Sequence, residues 1–277
     1  MFFLISGAVL TPSFARPGAF PGKLGKRVVR LRLPVTAAAV IATVLLAAWP
    51  DAHLRAAALT GSAWLAMDSS GAPTLAHLAR EIGLDSLLLG YREATLFAPL
   101  AGRLPPMEHS LDAPFWSLHL ELYGSLLVLC LVSLRAWSPW RLHRAAIVAA
   151  AVLFGTQQMF LFVLGQLVSM PPLPRGGGGL GRRFLGAFLL LLGIALCAGK
   201  DWSMADTLRL WLGHVELVAP PNLFQFQSQL AAAALYFGVL ACPWVWRPLD
   251  SGPCRHLGRL SFSIYLLHFP ILFTLGF

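Results

Sequence analysis

Phe115-Trp116-Ser117-Leu118-His119-Leu120-Glu121-Leu122-Tyr123-Gly124-Ser125 opens an apolar run that continues to Leu134. About 20 predominantly apolar residues make a helix long enough to cross the hydrocarbon layer, so a membrane span is predicted over 115–134. The run carries a carboxylate, Glu121, two turns inside it. An ionisable group at that depth is costly and faces a bundle interior or a watery cavity, which makes Glu121 a site candidate. The other reading is a structural hydrogen bond to a neighbouring helix.

Outward from this stretch the rest of the chain has the same character. Of its 277 residues 57% are hydrophobic and 12% charged, and the mean hydropathy is +0.69. That is more apolar surface than a water-soluble domain of this length can hide. Apolar runs bounded by charge, Gly or Pro predict spans near 1–11, 35–50, 115–134, 145–156, 157–170, 184–198, 228–246 and 257–277. The first is too short to cross. In lipid only helices and closed barrels satisfy their own backbone, and these runs are too long for barrel strands. The expected fold is all-α, a polytopic transmembrane helical bundle of about seven or eight spans or partial spans.

The net charge of +9 does not sit in a basic stripe interleaved with aromatics, so no nucleic-acid partner is expected. It follows the membrane instead. With 145–170 read as two short helices turning at Gly155-Thr156-Gln157-Gln158, fifteen of the 21 basic residues fall on one side: Arg16, Lys23, Lys26, Arg27, Arg30, Arg32, Arg135, Arg141, Arg144, Arg175, Arg182, Arg183, Arg247, Arg255 and Arg259. Basic loops stay in the cytoplasm, so this side is assigned there and the bilayer is read as a plasma (inner) membrane. The opposite side receives the long stretch 51–114, with weakly helical pieces around 54–67 and 75–90; it suits a lid or an acceptor-binding surface, and equally an ordinary solvated loop. Pro171 to Gly179 reads as a flexible linker. Cys130, Cys197, Cys242 and Cys254 show no CxxC spacing, so neither a disulfide framework nor a metal is expected. The opening residues have no charged region of the kind that precedes a signal peptide.

Within the predicted span Ser117, Glu121, Gly124 and Ser125 share a helical face, while His119 points elsewhere and does not form a dyad with Glu121. His119 reads either as a site residue or as an interfacial imidazole. Lys23 to Arg32 form a dense cationic segment with two readings: anchoring to anionic lipid headgroups, or a phosphate site, with Arg27 and Arg30 on one face. Near the end, Ser261, Tyr265 and His268 line one face at i, i+4 and i+7, either along a cavity or as packing beside a Pro270 kink.

Several of these segments together resemble the acyltransferase 3 family of polytopic membrane enzymes. Phe2-Phe3-Leu4-Ile5-Ser6-Gly7 is similar to its FFxxSG signature, and Arg27 to Pro34 to the basic segment that follows. Trp116 to Glu121 resembles WSLxxE, and Leu257 to His268 resembles LGRxSYSxYLLH, with Phe262 where the family often has Tyr. Order and spacing agree across nearly the whole chain. The resemblance implies transfer of an acyl group, often acetyl, from acyl-CoA to a hydroxyl of a carbohydrate, a lipid or a small molecule, with O-acetylation of a polysaccharide among the expected reactions. It implies that Arg27 and Arg30 contact the CoA phosphates and that Glu121 helps organise the reacting groups. The family's first helix carries an Arg and a general-base His that have no counterpart here. The expectation is therefore a single domain over 1–277 that is incomplete at its front and also at its end, with His119 and His268 as candidate substitutes for the base. A transporter-like permease and an inactive scaffold are the alternatives.

Overall fold

Among the described residues the apolar runs become helix, with a break at Cys242. The computed structural model describes residues 1–62, 74–155, 157–169, 179–198 and 223–275, and among them there is no strand. In chain order the helices are α1 (Phe2–Ala15), α2 (Phe20–Ala48), α3 (Ala52–Thr60), α4 (Leu75–Arg80), α5 (Trp116–Trp137), α6 (Trp140–Leu153), α7 (Met159–Ser169), α8 (Leu180–Ala198), α9 (Leu223–Ala241), α10 (Pro243–Leu249) and α11 (Gly252–Leu275). By length and composition α2, α5 with the turn before it, and α8 can each cross a membrane; α9 with α10 makes a fourth if the bent pair counts as one span. The fold is that of an all-α membrane protein.

Three boundaries differ from the sequence reading. The basic segment before Pro34 is not a loop leading to a span but lies within the first half of α2. Lys, Arg, Leu and Val all propagate a helix, and Pro34 removes a single backbone bond that a membrane helix tolerates. The run 228–246 is broken at Cys242 and bends by 91°. Pro243 has no N–H and drives the preceding residue out of the helical region, so Cys242 lies at φ −104°, ψ 98°. The closing helix α11 starts at Gly252 and, over the described residues, is not among the helices long and apolar enough to cross. The 145–170 region divides into two short helices, α6 ending at Leu153 and α7 beginning at Met159. The linker at 171–178 and residues 63–67 of the first external piece lie outside the described residues.

The chain forms two compact units: residues 1–23 with 124–255, and residues 24–123 with 256–277. In the first, α1 turns Phe3, Leu4, Gly7, Leu10 and Phe14 inward. Its contact with α7 is made through glycine. A β-carbon on Gly7 would lie 2.4 Å from the Phe162 carbonyl oxygen, and one on Gly165 would lie 2.2 Å from the Leu4 oxygen. Small residues let membrane helices approach backbone to backbone, where dispersion and weak hydrogen bonds do what the hydrophobic effect cannot. The outer face of α8 exposes Phe184, Phe188, Leu191 and Ile194, as a lipid-facing surface should.

In the second unit α2 presents Leu31, Val35, Ala38, Ala39 and Ala42 to a core completed by Leu87, Tyr91, Leu111, Phe115, Leu118, Leu122 and Leu266. Thr74 caps α4 by accepting the His77 N–H at 3.1 Å. The chain then runs on through Glu81–Leu89 as a π-helix. That wider winding bonds each N–H to the carbonyl five residues back; the Gly90 N–H reaches Asp85 O at 2.9 Å. It turns Glu81, Asp85, Ser86 and Leu87 inward and leaves Leu84 and Leu88 outside.

Candidate active site

The second unit gathers the chemistry along α5. Glu121 is buried and forms an ion pair with Arg27 of α2. One turn earlier on the same face, Ser117 Oγ lies 2.8 Å from the Tyr265 hydroxyl of α11. The Pro114 carbonyl lies 3.0 Å from Ser117 Oγ and 3.2 Å from the Tyr265 hydroxyl, so one hydroxyl donates to this carbonyl while the other donates across the pair. Two helices far apart in sequence, α2 and α11, are thus tied to one face of α5 by polar bonds. Arg30, one turn beyond Arg27, is exposed and has no ion-pair partner among the described residues.

The two candidate histidines differ in what their nitrogens are free to do. His119 is fully buried, and its Nε2 accepts the Leu96 N–H at 3.1 Å. A neutral imidazole has one acceptor nitrogen, so this bond uses the lone pair that a general base needs. The ring packs against Phe97 and Tyr123 at centroid distances of 5.7 and 4.9 Å. It also fills the space beside Gly90, whose φ of +75° and 3.1 Å approach to the ring leave no room for a β-carbon. His268 is exposed, and its Nδ1 lies 2.7 Å from the Tyr265 carbonyl. A carbonyl can only accept, so the proton is on Nδ1, and the lone pair of Nε2 meets no donor among the described residues.

A second polar cluster lies just ahead of α5 and was not singled out from the sequence. Tyr91 donates to the Glu81 carboxyl and lies 3.0 Å from Ser110 Oγ. Ser110 in turn donates to the Asp112 carbonyl at 2.7 Å and accepts the Asp112 N–H at 3.2 Å. The Asp112 carboxyl is buried with neither oxygen bonded among the described residues. Burial pushes Glu81 up to about 7. It pushes Asp112 up to about 8, with the Glu81 charge adding to it. Arg80 bonds Asp85 at 2.8 Å from the outside. The available signal was the position of Asp112, four residues before Trp116.

Both carboxyls hold their protons more tightly folded than unfolded. Their stabilisation is complete below about pH 4, where the unfolded chain is protonated too, and it is lost as pH rises through about 7 and then about 8. Thermal unfolding should therefore shift downward between about pH 4 and 8 and level off above that. A Glu81→Gln, Asp112→Asn double variant, which keeps both shapes without the charges, should flatten that slope. An equally steep fall in the variant would exclude these carboxyls as its source.

No group of three or more His, Cys, Asp or Glu able to hold a metal occurs among the described residues. No curated protein and no solved structure matches the chain. The family model described as an acyltransferase domain matches residues 1–277. With that match over its whole length and with its apolar helices, the chain belongs to the acyltransferase 3 family and is a membrane acyltransferase.

Proposed function

We propose that the protein moves an acyl group, acetyl in the simplest case, from acyl-CoA on the cytoplasmic side to a hydroxyl of a carbohydrate, lipid or small-molecule acceptor. The observation that supports this reading is the polar seam on α5, where Glu121 pairs with Arg27 and Ser117 lies against Tyr265, with His268 three residues beyond Tyr265 on α11. The basic side of the chain supplies the orientation.

In this mechanism the acceptor oxygen forms a bond to the thioester carbon as His268 Nε2 takes its proton. The carbonyl electrons move onto oxygen and return as the C–S bond breaks, and the proton passes from His268 to the departing CoA thiolate. A neutral hydroxyl is a poor nucleophile, and a positioned base contributes typically ~10²–10⁴ in rate. Tyr265 and Ser117 are positioning residues that hold α11 to α5. Arg27 is committed to Glu121, which leaves Arg30 as the guanidinium available to a CoA phosphate.

Release of free CoA thiol from acetyl-CoA, measured on the purified protein in lipid nanodiscs against a panel of hydroxyl acceptors, tests the proposal. His268→Gln should lower kcat by ~10²–10⁴ with little change in KM for the donor. Arg30→Ala should raise that KM about tenfold, the worth of one charge-assisted hydrogen bond. An unchanged kcat in His268→Gln would remove the base assignment, and no thiol release from any acyl-CoA would sink the donor.

A further inference from the structure

The first unit holds a cavity of about 560 Å³ where the end of α1, the turn at 16–19, the start of α2 and the end of α5 meet. Its wall includes Arg16, Lys23 and Arg135, with Trp137 beside them, and no carboxylate. Lys23 spends one of its protons on the Phe14 carbonyl at 2.7 Å, which closes the C-terminal end of α1 and holds the ammonium at the wall. Gly18, at φ +142°, lets the turn fold over the Lys23 stem, 3.4 Å from where its β-carbon would be. Arg16 and Arg135 have no ion-pair partner among the described residues. The described part of this unit contains a single carboxylate, Asp250, and that residue does not line the cavity. Three cations on the wall of one cavity, with no carboxylate beside them among the described residues, call for an anion from outside.

We propose that this cavity binds a phosphate ester, its charge held by Arg16, Lys23 and Arg135 and its neighbouring group laid against Trp137. Guanidinium forks match phosphate oxygens two at a time, and an ammonium adds a point charge. The volume exceeds what inorganic phosphate needs and lies within the range of small-molecule pockets. An exposed tryptophan, 88% accessible, offers a stacking face to a purine or sits at headgroup depth beside a lipid. Two sources share this chemistry: the phosphorylated adenosine of CoA, and the headgroup of an anionic phospholipid. The first deepens the acyl-CoA reading and rests on it; the second does not.

The test uses the full chain in nanodiscs. Adenosine 3′,5′-bisphosphate binding is measured by calorimetry in phosphatidylcholine discs. Retention of phosphatidylglycerol from mixed discs is counted by native mass spectrometry. The variant is Arg16→Gln with Arg135→Gln, since neither side chain bonds to the described fold. A bisphosphate affinity lowered about tenfold or more, with lipid retention unchanged, assigns the cavity to the nucleotide. Loss of retained phosphatidylglycerol with bisphosphate binding unchanged assigns it to lipid, and loss of both shows a phosphate site open to either. Equal behaviour of variant and wild type in both arms overturns the proposal, as does a wild type that binds neither. If the wild type binds no bisphosphate while the variant loses lipid, the acyl-CoA reading is damaged and the cavity stands.

Discussion

Glu121→Gln is expected to abolish measurable acyl transfer and to cost about 3–5 kcal/mol of stability, because it leaves the Arg27 guanidinium buried without its counter-charge. Arg27→Met should do the same from the other side. Combining Arg27→Met with Glu121→Leu separates the two effects. Apolar replacement of both members of a buried ion pair is often neutral or stabilising, so the thermal midpoint of the double variant should recover most of what either single variant loses. CoA release should not recover with it. If transfer returns along with stability, the pair is only a strut between α2 and α5, and the organising role proposed for Glu121 is withdrawn.

Gly165→Ala should be as damaging to the fold, from the addition of one methyl group. Its β-carbon would stand 2.2 Å from the Leu4 carbonyl oxygen and 2.7 Å from the Ala8 nitrogen, both backbone atoms of α1 that no side-chain rotation can move aside. Separating the two helices forfeits contacts along their length, and overpacking of this kind costs about 3 kcal/mol or more. Gly22→Ala is the matched control. Gly22 lies in α2 with nothing within 4 Å of its would-be β-carbon, so the same substitution there should gain about 0.5–1 kcal/mol of helix propensity. Thermal unfolding and the yield of monodisperse protein report both. Similar behaviour of the two variants would mean that α1 and α7 do not need their close approach.

The pattern that a bilayer imposes on sequence made the fold legible. Runs such as 115–134 and 184–198 must be helix because lipid offers their backbone no other partner, and they are. The breaks were less visible, since Pro243 acts on one residue's φ and ψ while hydropathy averages over many. At the site, Glu121 could be picked out because a carboxylate is conspicuous among leucines, and the separation of His119 from it followed from a two-residue offset on a helix. What each histidine does could not be read that way. His119 and His268 are alike in sequence terms, and only the Leu96 N–H on one and the Tyr265 carbonyl on the other tell a spent lone pair from an open one. The network of Glu81, Tyr91, Ser110 and Asp112 escaped for a related reason. Its members are spread over about thirty residues of what reads as a polar surface stretch, and the inward turn of Glu81 depends on π-helical winding, which has no compositional signature.

That winding makes the tract Glu81–Leu89 a place where chain length, rather than residue identity, can be varied. A π-helix holds a residue that an α-helix would not need, so deleting the outward-facing Leu84 could be absorbed by re-pairing each N–H one carbonyl closer, without a gap in the helix. The tighter α turn uses one residue fewer than the π turn it replaces, so residues beyond the deletion would keep close to their present facing, with Asp85 and Ser86 still on the side of Glu81. A one-codon length variant at this point would shed an outward leucine while leaving the enclosed acidic surface in register, a tolerance that a regular α-helix does not offer.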